Sequence, residues 1–122
     1  MSVVTRVLET LGQNQAALEA EDLAQECGRP GCTRIAALQP RQVAEVTGAV
    51  HSLAVQPRDR TPALQVELYD GTGVLRLLWL GRRAITGIRP GVFLTVRGRI
   101  TEVDGVPAMY NPAYELLPDD DA

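Results

Sequence analysis

Two cysteines, one histidine and twelve arginines are the residues of this chain best equipped for chemistry, and their spacing leaves them little of it to do. Cys27 and Cys32 bracket a Gly-Arg-Pro-Gly run. A structural zinc site takes four ligands, usually Cys and His in pairs. Two Cys and the single His51 fall short of that within one chain, and only a subunit interface could complete the set. A disulfide can span the Pro-Gly turn, but a reducing compartment disfavours it. His51 and Ser52 are neighbours on what reads as a strand, so they point to opposite faces and cannot pair as base and nucleophile. There is no Gly-rich loop ending in Lys-Ser or Lys-Thr, and no lysine at all, which removes a phosphate-binding P-loop. No catalytic residue, metal or cofactor is expected; the chemistry left is binding.

For binding, the arginines and the few rings matter most. Every cation is a planar fork suited to phosphate and to stacking. The net charge is −3, yet it is uneven. Residues 1–40 hold three Arg and five acids, residues 41–117 hold nine Arg and seven acids, and Asp119, Asp120 and Asp121 make an acidic tail. A mildly basic middle between acidic ends permits a polyanion-binding surface without demanding one. Arg58 and Arg60 fall in an expected loop between proline residues 57 and 62. Arg76, Arg97 and Arg99 fall on the outward positions of expected strands, with a solvated exterior paired to Glu67, Glu102 or Asp59 as the plainer reading. Of the five aromatics, alternation puts Tyr69 outward, where it could stack on a base, and puts Trp79 in line with Leu75 and Leu77 in the core.

The elements that must position these residues follow from periodicity. The chain is long enough for one domain, and no apolar run approaches the length of a membrane-spanning helix. Its first residues show no basic segment followed by an apolar one, so a cytoplasmic home is expected. Residues 1–40 read as a helical extension and loop. Val4, Leu8 and Leu11 share a face, and from Asn14 onward Ala16, Ala20, Leu23, Ala24 and Cys27 form a shallow stripe that must pack on something, either the barrel or a second copy. From Gln42 the period becomes two. Alternation predicts strands near 46–51, 64–69, 74–80, 92–103 and 106–116, with a short helical turn over 82–88. Asp70-Gly71 and Asp104-Gly105 mark hairpins, because Asp-Gly tolerates the positive φ of tight turns. Gly48 and Gly98 fall on inward positions, where glycine lets a strand coil tightly. Three strands, a helical insert and a final hairpin is the order of a five-stranded OB barrel, here over residues 41–117, followed by a solubilising acidic tail at 118–122.

Several short runs strengthen that reading. Leu-Tyr-Asp-Gly-Thr-Gly at 68–73, Leu-Trp-Leu-Gly at 78–81, Pro90-Gly91, Val-Arg-Gly-Arg at 96–99 and Met-Tyr-Asn-Pro at 109–112 resemble, in order and spacing, the OB wedge domain of RecG branch-migrating helicases. The same pattern resembles stand-alone actinobacterial OB-fold nucleic-acid-binding proteins. The resemblance covers about residues 42–117 and implies a mainly β, OB-type fold. For function it implies a non-catalytic module binding single-stranded or branched DNA, with a place in repair or recombination. Arg58, Arg60, Tyr69, Arg76, Arg97 and Arg99 are then the candidate contacts. The alternative that stays open is a protein-interaction module, with homo-oligomerisation through the N-terminal helix and no nucleic acid.

Overall fold

In a computed structural model of the chain, residues 27–28, 30–58 and 61–117 are described. Strands dominate them: β1 (Val43–Arg58), β2 (Thr61–Tyr69), β3 (Val74–Leu80), β4 (Phe93–Arg99), β5 (Thr101–Val103), β6 (Val106–Tyr110) and β7 (Ala113–Leu116). They form one curled, barrel-like sheet in the order β5-β6-β3-β2-β1-β4-β7. All neighbouring pairs are antiparallel except β3 with β6. The curl closes covalently, because Ile100 alone separates β4, near one end of that order, from β5 at the other.

Seven strands replace the five expected from alternation, and both extra breaks have local causes. At Ile100 the chain leaves the β4 pairing: its N–H donates to Gln42 O (2.7 Å) and its carbonyl accepts from Arg41 N (2.8 Å). At 111–112 the last run is cut in two. Asn111 takes a left-handed φ of 48°, and Pro112 has no N–H to give a ladder. The halves then diverge, β6 to β3 and β7 to β4. The expected helical turn at 82–88 is instead a series of turns that sends Ile85 and Ile88 into the core. The expected proline-flanked loop is also absent as such: β1 and β2 stay paired out to Arg58↔Thr61.

The helical extension and the acidic tail lie outside the described residues, apart from residues 27–28 and 30–40. Among the described residues Cys27 is helical, and the one helical element they contain in full is a 3-10 turn, Ile35–Ala37. Cys27, the end of the alanine-rich stripe, is buried. Residues 32–33 run beside the first half of β1, where Thr33 N donates to Glu45 O and Cys32 Sγ lies 3.2 Å from Thr47 Oγ1. Thr47 in turn meets Thr95 Oγ1 at 2.8 Å, so this outward polar pair is buried with its hydroxyls partnered.

Alternation supplies the core. Val46 and Val50 of β1, Leu64, Val66 and Leu68 of β2, Leu75, Leu77 and Trp79 of β3, and Leu94 and Val96 of β4 all point inward and are buried. Gly48 lies in that inward row, and a Cβ there would stand 2.8 Å from Leu68 Cγ and 3.0 Å from the Tyr69 carbonyl. At Gly98 the nearest atom is the pliable Met109 sulfur, at 3.2 Å. Gly48→Ala is therefore expected to destabilise the fold by about 1–2 kcal/mol, overpacking outweighing the gain in strand propensity. Gly98→Ala should cost clearly less. Urea midpoints of the two variants check this, and equal shifts would refute the packing argument.

Candidate nucleic-acid interface

The rows on the outward face of β2, β3 and β6 follow from the register. Thr61, Ala63, Gln65, Glu67 and Tyr69 alternate outward on β2; Val74, Arg76, Leu78 and Leu80 do so on β3; Ala108 and Tyr110 do so on β6. Leu80 and Tyr110 are exposed at about two-fifths of their surface, while Leu78 and Ala63 beside them are buried. Ala108 is buried as well, so the exposed part of this apolar floor is the Leu80 ledge with the Tyr110 ring at its edge. Asn111 fixes that edge, its N–H donating to Leu78 O and its Oδ1 accepting from Leu80 N.

Arginines gather at one end of this floor. Gly81 N donates to Pro62 O at 2.7 Å, which continues the β2–β3 register one step past Leu80. Gly81 then turns the chain with a φ of 79°, and a Cβ on it would stand 4.0 Å from Thr61 Cγ2, so Arg82 leaves the sheet near Thr61, whose partner on β1 is Arg58. Arg82 and Arg83 are exposed. Periodicity alone missed both, since residues 82–88 read as a helical insert with no place relative to β2.

The expected contact residues divide. Arg58 ends β1 at this cluster, and Arg60 lies outside the described residues. Tyr69 is outward, as alternation required, but half-buried and at the far end of the face. Arg76 is outward yet largely sunk, its guanidinium 4.0 Å from Glu67 and 3.6 Å from Asp104, with Nε buried and without a hydrogen-bond partner. Two carboxylates beside it make it a poor phosphate ligand. Arg97 and Arg99 are exposed on β4, opposite Glu45 and Val43 of β1. Two strands intervene between β3 and β4, which is about 14 Å across the sheet, and Glu45 stands seven residues from the Ser52 that fronts Glu67. These two arginines belong to a separate patch, with Arg41 near by, whose N–H donates to the carbonyl of Ile100.

Trp79 is buried in the core row, donating from Nε1 to Pro112 O at 3.2 Å. Cys27 and Cys32 are not joined in a disulfide. Among the described residues no group of three His, Cys, Asp or Glu side chains is placed to hold a metal, and no helix is long and apolar enough to cross a membrane. No known protein-family model matches the chain, and neither does any curated protein.

Proposed function

We propose that this chain is a non-catalytic OB-type module that binds nucleic acid, single-stranded or branched DNA above all, as a component of repair or recombination. The observation that carries the reading is the gathering of Arg82, Arg83 and the Arg58 end of β1 beside an outward floor edged by Leu80 and Tyr110. Cations for phosphates next to a ring and an apolar ledge for bases is the combination single-strand binders use. The strand connectivity supports the OB reading. A long β1 is shared between β2 and β4, β3 and β6 pair in parallel, and a hairpin joins β5 to β6. The Arg97 and Arg99 patch is a secondary contact in this reading. Arg76 acts as a structural ion pair, and Tyr110 takes the stacking role that alternation gave to Tyr69.

The test is fluorescence anisotropy with single-stranded, duplex and branched DNA across a salt series. Each phosphate neutralised on a single strand contributes about 0.7 to the slope of log affinity against log salt. Three or four arginines therefore give a slope of about −2 to −3. Tyr110→Ala should weaken binding by about 1–3 kcal/mol with little change in slope, because stacking releases no counterions. Absence of salt-sensitive binding at low ionic strength would replace this reading with that of a protein-interaction module.

A further inference from the structure

The distal half of β1 is the one stretch of that strand with an open edge among the described residues. β4 pairs with β1 only as far as Ala49↔Phe93, and Gly91 and Val92 close the edge at Val50 with bonds to its C=O and N–H. Beyond that point β1 runs on to Arg58 with β2 on one side and, among the described residues, no strand on the other. Residues 51–57 read His-Ser-Leu-Ala-Val-Gln-Pro, a neutral segment. The devices that keep edge strands apart are lysines, inward charges, bulges and a covering loop. Only the bulge at His51 and the terminal Pro57 stand here, both at the segment's ends.

The register fixes which main-chain groups face outward. Pro62 gives its carbonyl to Gly81 on the β3 side, so the Pro57–Pro62 pair exchanges no hydrogen bonds. Pairing is regular from Ser52 to Arg58, so alternation leaves the N–H and C=O groups of Leu53 and Val55 on the open edge. Their side chains share the inward face with Val66 and Leu64, yet Leu53 is 39% and Val55 48% exposed. The open segment has its midpoint at Ala54.

We propose that residues 51–57 pair antiparallel with the same segment of a second copy, about a two-fold axis through Ala54. In this register Leu53 faces Val55 of the second copy and Val55 faces Leu53, so the outward groups make four main-chain hydrogen bonds. The four apolar side chains cover one another on the inward face. Ser52 meets Gln56, His51 meets Pro57, and no like charges are opposed. The segment ends on both copies where Val92 takes the edge at Val50. A self-complementary patch is what a closed two-fold dimer requires. One strand pair buries less than the roughly 1,200 Å² of a stable complex, so the dimer forms in a concentration-dependent way.

Sedimentation velocity over a concentration series up to the millimolar range tests this on the full chain. The expected result is a monomer–dimer equilibrium that Val55→Lys abolishes while circular dichroism and Tm stay unchanged, since position 55 is exposed. Register is tested by Ala54→Cys with oxidised glutathione as oxidant. Cα atoms of a non-hydrogen-bonded antiparallel pair stand about 4.5 Å apart, within disulfide range. Ala54→Cys should yield a covalent dimer at least tenfold faster than Ser52→Cys, whose two copies stand about 13 Å apart in the same register. A monomer at every concentration, association untouched by Val55→Lys, or equal crosslinking of the two cysteine variants would each overturn the proposal.

Discussion

Asp70→Ala will remove about 3 kcal/mol of stability, the largest loss expected from any single polar side chain here. Its carboxylate is 1% exposed and accepts four hydrogen bonds. Thr72 N (2.9 Å), Thr72 Oγ1 (2.6 Å) and Gly73 N (3.2 Å) bind one oxygen and shape the β2–β3 turn. Ile35 N (2.9 Å) binds the other from 35 residues away. Hydrogen bonds to a charged group are worth about 1.5–3 kcal/mol each, and a buried donor left unpaired costs about 1–3 kcal/mol. The turn donors are only partly buried and regain water in the variant, so the total falls well below the simple sum. Ile35 N cannot, and the 3-10 turn that plugs Ile35 into the core loses its anchor. Urea unfolding measures the loss, and amide exchange at Ile35 locates it. Asp70→Asn, which keeps one acceptor oxygen, should lose about half as much. Alanine with near-native stability would show that the carboxylate is dispensable to the turn.

Arg82→Glu combined with Arg83→Glu should weaken DNA binding at least tenfold, about 1.4 kcal/mol, and flatten the salt slope by about 1.4. Both side chains are exposed, so the double reversal should leave the fold intact. Arg97→Glu with Arg99→Glu changes the net charge equally but acts on the distant β4 patch. If whole-molecule charge governed binding, the two double variants would lose affinity alike. If the floor beside Leu80 and Tyr110 is the site, the first pair loses far more, and to every sequence equally, because phosphate contacts position a strand without specifying it. Equal losses would remove the case for a site at this end of the sheet.

The two Asp-Gly turns show how much of this fold can be read from local signals. At Asp104-Gly105 both residues have positive φ, 54° and 79°, between the paired Val103 and Val106, as the two-residue hairpin rule demands. At Asp70-Gly71 only Gly71 has positive φ, and Asp70 serves through its carboxylate. The turn was legible and its chemistry was not, because the decisive donor, Ile35 N, belongs to a distant segment. Alternation likewise assigned the core faces of β1 to β4, and the tight approach at Gly48 agrees with it. It failed where pairing is decided at long range. Nothing local places Arg82 near Thr61 or sets Asp104 against Arg76. Tyr110 was hidden because residues 106–116 alternate as one strand. Asn111-Pro112 was the available signal for a break there, one residue tolerating left-handed φ and the next lacking a donor.

The break at Asn111-Pro112 also gives the molecule an optical readout of its own closure. Trp79 is the sole tryptophan, and it sits where β3 meets the chain that crosses from β6 to β7. Its indole N–H is held by Pro112 O, and its ring meets Tyr114 edge-on, with centroids 5.7 Å apart at 81°. Tyr114 belongs to the C-terminal strand and reaches the indole only when that strand has docked on β4. Tryptophan emission therefore reports on one seam rather than on the whole sheet: peeling β7 away hydrates the indole and shifts its emission to the red while the β1–β2–β3 meander still stands.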